Sequence, residues 1–298
     1  MSRRLILALV AGSTASLALT GASLSFAQPA VSPDTIIVTG VKLEKKEARK
    51  QSNSFVGRTT TTTLSQYGRY GRPICPRVIG VDQRYADIVV TKVQDIARSA
   101  SIKVAEGDCR PNMFVLFTTD GNALIEILRR AKPALFSDVA VSERTKLYNN
   151  AVPIRWWHRI EIGGSDGNTV ARGNSPQGFE TLESKSSSSS LIDTKLIINL
   201  AGAIVVVDVN KANGYPLESI AAYAAMVSFA QIKPENSHDS LSSVLAMFGP
   251  NKSPADAPRD LTRLDYAYVS SLYEIQLNRA GSAQKSQIAS RMAAKLSN

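Results

Sequence analysis

The sequence predicts an α+β fold with a mixed sheet, flanking helices and a helical C-terminal end. Two observations lead to this prediction. Helical and strand-like patterns alternate up to residue 208, and helical patterns dominate after Pro216. The stretch from residue 73 to residue 298 is also short enough to fold as a single domain around one core.

Two helices and a strand are expected early in this domain. Residues 82–100 carry an apolar stripe at helical spacing, and residues 121–131 predict a second helix that stops near Pro133. Between them, the apolar run 112–120 predicts a buried strand. The stripe of the first helix consists of Tyr85, Val89, Val93, Ile96 and Ala100.

Residues 152–162 alternate as a strand with two distinct faces. One face is apolar and places His158 beside Trp156. The opposite face carries Arg155, Trp157 and Arg159. We regard His158 and these three residues as candidate functional residues wherever they are exposed.

A long loop is expected over residues 163–190, because glycines stand at its start and a serine run stands at its end. Two strands then follow, over residues 194–200 and 203–209, separated by Ala201 and Gly202.

Two helices are expected near the C-terminus. The first, 217–232, is apolar nearly all round, which predicts a buried position. The second, 261–277, begins with Thr262 and Asp265 at the spacing of a capping box.

The first 27 residues have the pattern of a secretory signal peptide. Arg3 and Arg4 give a basic start, an apolar stretch follows, and Ser25-Phe26-Ala27 matches a cleavage site. A membrane anchor is the alternative, but the apolar part is short and rich in Ser, Thr and Gly. No later stretch is long and apolar enough to span a membrane. We therefore expect a periplasmic or secreted protein that is cleaved after Ala27.

A disordered basic tail is predicted over residues 28–72. Residues 41–72 hold eight basic and two acidic residues and a run of threonines. Such a segment buries too little apolar surface to offset the cost of ordering. Much of the net charge of +10 therefore lies outside the expected domain, and with export this argues against a nucleic-acid partner.

The two cysteines, Cys75 and Cys109, predict one disulfide, because an even count in an oxidising compartment favours pairing. Two buried free thiols are the alternative.

One short stretch of the tail, Asp34 to Gly40, reads DTIIVTG and resembles the TonB box of TonB-dependent outer-membrane receptors. The resemblance implies a contact with TonB through these residues. The rest of the chain does not resemble such receptors, so an extended segment without this role is the alternative.

Only two histidines are present, which excludes most histidine-built metal sites. His158 lies on an apolar strand face and is interpreted first as a core residue, with a catalytic role as the alternative. His238 lies in a polar loop and is expected in solvent. No nucleophile elbow, phosphate-binding glycine loop or paired-cysteine zinc site occurs, so no catalytic, cofactor-binding or metal-binding residue is predicted.

The C-terminal half resembles metzincin-like zinc peptidases, particularly matrixins. The Ser-Val-Leu run 243–245 resembles their Ser-x-Met turn, with Leu where Met is usual. The last-helix pattern of that family is matched by Thr262, Asp265, Leu272 and Tyr273. The segment also resembles poorly characterised secreted proteobacterial proteins that keep this end pattern. The resemblance implies a zincin-like scaffold in which the helix 217–232 replaces the metal-binding helix.

This helix departs from the family where the metal ligands would be. Catalytic zinc needs about three protein ligands and a base that activates its water. Here the sequence reads Ala-Tyr-Ala-Ala-Met-Val over residues 222–227, and Glu218 is the only acidic residue of the helix. No cofactor is therefore expected. The resemblance implies a degenerate peptidase scaffold, and an unrelated α+β fold with a well-capped last helix is the alternative.

The leading hypothesis is an exported, non-catalytic envelope protein that binds or scaffolds an unknown envelope partner. Two alternatives remain: a non-metal hydrolase that uses His158, and a TonB-interacting accessory protein.

Overall fold

The computed structural model of the chain describes residues 42–149, 152–166, 170–174, 180–183, 193–234 and 241–298. The predicted signal peptide, the TonB-box-like stretch Asp34 to Gly40, the serine run 186–190 and His238 lie outside these residues. No helix within the described ranges has the length and apolar character needed to cross a membrane.

The architecture is α+β, as predicted. The helices that the structure describes are α1 (Lys45–Thr59), α2 (Gln83–Ser99), α3 (Gly121–Ala131), α4 (Val141–Asn149), α5 (Leu217–Phe229), α6 (Arg263–Glu274) and α7 (Gly281–Ser297). The strands are β1 (Arg69–Tyr70), β2 (Pro76–Ile79), β3 (Met113–Thr118), β4 (Ile154–Gly164), β5 (Ala171–Asn174), β6 (Glu180–Glu183) and β7 (Leu196–Asp208).

The long strand β7 organises a mixed sheet of five strands. Along one edge it pairs with β4 in antiparallel fashion over nearly its whole length. Along the other edge it pairs in parallel with β1 at residues 199–200 and with β3 at residues 203–208. Strand β2 continues the sheet beyond β3, again in parallel.

The prediction of two separate strands around Ala201 and Gly202 is wrong, because β7 runs through both residues without a break. The register of β4 shifts between Arg159 and Ile160, so that Ala201 is left without an opposing residue. A Cβ atom on Gly202 would lie 2.7 Å from the carbonyl oxygen of Asn112. Glycine is therefore needed here for the close approach of two backbones, and it does not mark a turn.

Helices cover the two faces of the sheet. Helices α2 and α5 lie on the face formed by Val115, Ala203, Val205 and Val207, in the main hydrophobic cluster. Helices α3 and α4 and a 3₁₀ turn at Pro133–Phe136 cover the other face over a smaller cluster, which includes Trp157, Ile204 and Val206. The hydrophobic residues of β7 are thus buried on both sides, as parallel sheets require.

The strongest helix and strand predictions are confirmed. Helices α2 and α3 and strand β3 lie within the predicted ranges, although Tyr85 of the predicted apolar stripe is 40% exposed and Ala86 is buried in its place. Every residue of α5 from Ser219 to Phe229 is buried. Helix α6 begins with the predicted capping box, in which Thr262 and Asp265 bond to each other's backbone N–H groups.

Part of the predicted long loop 163–190 forms strands instead. Strands β5 and β6 pair as a two-stranded antiparallel hairpin within residues 163–190.

The prediction of a disordered tail is wrong for residues 45–70, and the folded domain therefore begins well before residue 73. Helix α1 packs against α6 and α7, and β1 joins the sheet. The Phe55 ring is fully buried with its centroid 5.2 Å from that of Tyr268. The backbone N–H of Leu43 donates to the carbonyl of Leu296 at 2.9 Å, which joins the start of α1 to the end of α7.

A single disulfide, Cys75–Cys109, joins the residue before β2 to the loop that leads into β3. The predicted pairing is confirmed, and neither cysteine is free.

Replacing Phe55 by alanine should lower the free energy of unfolding by about 3 kcal/mol or more, because it opens a cavity between α1 and Tyr268. Urea unfolding measures the loss. The matched control is Lys50→Ala on the exposed side of the same helix, which should change stability by less than about 0.5 kcal/mol. Equal midpoints for Phe55→Ala and the unmodified protein would show that α1 does not pack as described.

Replacing Cys75 and Cys109 together by serine should lower the free energy of unfolding by about 3 to 4 kcal/mol. Without the disulfide, the unfolded chain regains the entropy of an open loop between residues separated by 34 positions. Thermal unfolding of the oxidised protein, the reduced protein and the double variant measures this change. The reduced protein and the double variant should agree, and a reduced protein as stable as the oxidised one would contradict the prediction.

Candidate functional site

A cleft of about 540 Å³ opens on the sheet face that carries α3 and α4. Leu135 of the 3₁₀ turn lines the cleft on one side, and residues 201–204 of β7 line it on another. Its described lining consists of Arg72, Pro73, Cys75, Ala105, Cys109, Arg110, Pro111, Asn112, Phe114, Leu135, Arg159, Ala201, Gly202, Ala203 and Ile204.

The floor of the cleft is open because β7 carries its smallest side chains there. Ala201 and Gly202 stand where the parallel neighbour of β7 changes from β1 to β3, whereas the side chain of Ala203 belongs to the opposite face of the sheet. The Asn112 carbonyl accepts the Ala203 N–H at 3.0 Å and keeps this segment in the sheet. The small residues at the point where β3 replaces β1 as the neighbour of β7 therefore leave space that larger side chains would fill.

The wall opposite Leu135 is held by the disulfide and by Asn112. The Asn112 side chain accepts the Cys75 N–H at 2.7 Å and donates to the Pro73 carbonyl at 3.0 Å. Together with the Cys75–Cys109 bond, these contacts fix the loop that carries Arg110. The disulfide and the two hydrogen bonds of Asn112 hold this wall in place, so its shape is largely pre-formed.

The cleft is basic. Three arginines line it and no acidic residue belongs to its described lining. Arg72 pairs with Glu161 at 3.0 Å, and Arg159 pairs with Asp138 at 3.3 Å. Both pairs are partly exposed and therefore weak. Arg110 is exposed and makes no ion pair with the described part of the chain.

A second cavity, of about 400 Å³, adjoins the cleft and shares Arg72, Asn112 and Ala201 with it. This neighbour is more polar, since Glu161 and Asn199 contribute to its lining. The cleft and this second cavity, which share these lining residues, are together called the recess.

Of the three candidate residues on this face of β4, only Arg159 reaches the cleft. Trp157 is 4% exposed, stacks on Phe136 at 4.7 Å between ring centroids and donates its indole N–H to the Leu135 carbonyl. It is therefore a core residue of the layer that bounds the cleft.

Arg155 is 3% exposed and belongs to a buried polar cluster at the carboxyl ends of β3 and β7. Its Nη1 donates to Asn122 Oδ1 at 2.7 Å, whereas its Nη2 is buried without a hydrogen-bond partner. Burial lowers the pKa of Arg155, and the nearby Asp208 and Asp120 carboxylates oppose that shift.

Asp208 balances this buried guanidinium. Burial alone would raise the pKa of Asp208, but hydrogen bonds from the Lys211 ammonium and the Gly121 N–H hold it below its usual value. The Gly121 N–H lies 3.1 Å from Asp208 Oδ2. Sequence patterns did not identify this cluster, because its members come from three separate segments, and its charges are compensated internally.

His158 lies on the α5 side of the sheet, as its predicted apolar face implies. The residue as a whole is half-buried, but its Nε2 is fully enclosed and has no hydrogen-bond partner. Burial lowers the pKa of His158 to about 4, although the carbonyls of Val227 and Ser228 act in the opposite direction. A neutral, enclosed imidazole is poorly placed to accept a proton from a substrate.

Helix α5 is tightly enclosed along its length. Ala221, Ala222, Ala224 and Ala225 are all fully buried. Among the residues that the structure describes, no three His, Cys, Asp or Glu side chains come together as a metal site.

Two segments named in the matrixin resemblance are in contact. The buried Asp265 carboxylate of α6 accepts the Ser243 hydroxyl and the Val244 N–H, the latter at 2.8 Å. It also accepts the Thr262 N–H at 3.0 Å. Burial raises the pKa of Asp265, and the hydrogen bonds that it accepts oppose the shift. The carboxylate thus ties the 243–245 turn to the start of α6.

Comparisons of the chain with protein-family models, with curated proteins and with solved structures find no match.

The buried His158 should make stability fall as pH falls below about 6.5. Its pKa is about 6.5 in the unfolded chain and about 4 in the folded protein, so the unfolded state takes up the proton first. Between pH 7 and pH 5 the free energy of unfolding of the unmodified protein should fall by about 1 to 2 kcal/mol more than that of His158→Gln.

Urea unfolding at pH 7, 6 and 5 tests this difference. His238→Gln is the matched control, because His238 is the only other histidine. It should follow the unmodified protein. If His158→Gln and the unmodified protein lose the same stability, the imidazole is not buried in its neutral form.

Proposed function

We propose that the protein is an exported, non-catalytic protein of the bacterial envelope that acts by binding. The observation that carries this proposal is the pre-formed cleft over β7. It combines three arginines with apolar walls, and no nucleophile paired with a general base belongs to its described lining. Such a lining is suited to holding a ligand.

The burial of helix α5 supports the proposal that the protein has no zinc-peptidase activity. In the layout that the chain resembles, the residues of this helix hold a metal. Here methyl groups of alanines fill the corresponding region, and their full burial leaves no room for a metal and its water. The contact of Asp265 with Ser243 supports interpreting the C-terminal half as a degenerate zincin-like scaffold.

Export is supported by two independent features. The signal-peptide pattern ends at Ala27, and the Cys75–Cys109 disulfide fits an oxidising compartment such as the periplasm. The predicted TonB contact through Asp34 to Gly40 stays a separate prediction. The enclosed Nε2 of His158 gives no support to the hydrolase alternative.

A photocrosslinking amino acid at Ala201 tests the binding role, because this exposed residue lies on the floor of the cleft. Irradiated cells should yield an adduct in the envelope fraction, and Arg110→Glu in the same chain should reduce it several-fold. The control position is Val141, which is 76% exposed on α4 and lies outside the cleft lining.

The unmodified protein, purified without a metal-affinity tag, should not cleave a library of fluorescence-quenched peptides, whether or not a chelator is present. Chelator-sensitive cleavage would overturn the non-catalytic part of the proposal. Adducts of equal yield from Ala201 and Val141, or none from Ala201, would overturn the binding role of the cleft.

A further inference from the structure

We propose that the cleft over β7 binds a monoanionic amphiphile, a ligand with one carboxylate-type group on an apolar body. The inference rests on the proposed binding function and specifies its ligand class. Three properties of the cleft carry it: the composition of its walls, its local charge balance and the positions of its arginines.

The walls select an apolar body. Apart from the three arginines and Asn112, the lining residues are apolar or small, and Phe114, Leu135 and Ile204 supply the largest apolar surfaces. A volume of about 540 Å³ lies within the range of small-molecule sites. A fully polar ligand would lose its hydration against these walls without regaining hydrogen bonds.

The local charge favours a single negative charge. Glu161 compensates Arg72 and Asp138 compensates Arg159, each through one ion pair. Arg110 forms no ion pair with any described residue, so the recess keeps about one uncompensated positive charge. A polyanion would meet the carboxylates of Glu161 and Asp138 at the rim, whereas a monoanion satisfies Arg110 alone.

The arginines reach the cleft from three separate segments. Arg72 follows β1, Arg110 follows the disulfide residue Cys109, and Arg159 belongs to β4. Guanidinium groups bind carboxylates through paired N–H donors, and a braced loop lowers the entropy cost of doing so. The disulfide therefore pre-positions Arg110 for the anionic group.

A carboxylate on an apolar body could come from a fatty acid or from the C-terminus of an apolar peptide. The experiment uses the full mature chain from Gln28 and the monoanionic fluorophore 8-anilinonaphthalene-1-sulfonate as probe. Competitors are dodecanoate, the dodecyltrimethylammonium cation, and trileucine with a free or an amidated C-terminus.

The probe should bind with one-to-one stoichiometry, and dodecanoate or free-acid trileucine should displace it. The cation and the peptide amide should not. Arg110→Gln should raise the dissociation constant about fivefold or more, as loss of a charge contact of about 1 kcal/mol implies. Arg130→Gln is the control, since Arg130 is an exposed arginine of α3 outside the cleft lining, and its effect should stay below about twofold.

Displacement by dodecanoate alone identifies a fatty acid, and displacement by the free-acid peptide alone identifies a peptide terminus; both support the inference. Equal displacement by the cation, or an Arg110→Gln variant with unchanged affinity, overturns it. Lack of binding by both the probe and dodecanoate also overturns it. In that case the Ala201 cross-link still decides separately whether the cleft binds a partner of another class.

Discussion

Strand β7 must keep its buried residues hydrogen-bonded along both edges while its parallel neighbour changes from β1 at residues 199–200 to β3 at residues 203–208. The remaining architecture depends on this constraint. Its residues 203–207 are buried between two helical layers, so any unpaired N–H or C=O there would be costly. Where β3 replaces β1 beside β7, Gly202 lets the Asn112 carbonyl come close enough to accept the Ala203 N–H, so the backbone stays hydrogen-bonded. This arrangement also places the smallest residues of the strand at the floor of the cleft.

Sequence patterns predicted the elements whose periodicity is strong. Helix α2 has an apolar stripe, α5 is apolar all round, and α6 has its capping box, and all three are present. Helix α1 escaped prediction because six of its fifteen residues are charged, and its buried side includes Ser52 and Thr59. Ala48, Phe55 and Val56 do fall at helical spacing, which is the signal that could have revealed it.

The cleft could not be predicted in the same way, because its arginines are distant in sequence and only the tertiary structure brings them together. The alternation of β4 identifies Arg159 as a candidate, whereas charge composition places Arg72 in the predicted tail and no pattern singles out Arg110. The alternation of β4 also placed Arg155 and Trp157 on the correct face. It could not predict that α3 and α4 cover them, since periodicity indicates a face and not what packs upon it.

The pairing of α1 with α7 has a consequence for the order of folding. The side of α1 that carries Phe55 packs against α6 and α7, which are made more than two hundred residues later. During synthesis the first helix therefore stays without its packing surface until the final segment has emerged. Contacts between residues so remote in sequence slow folding, because the entropy cost of closing a long loop comes before the contact forms. The domain therefore acquires much of its stability only after α7 has joined α1.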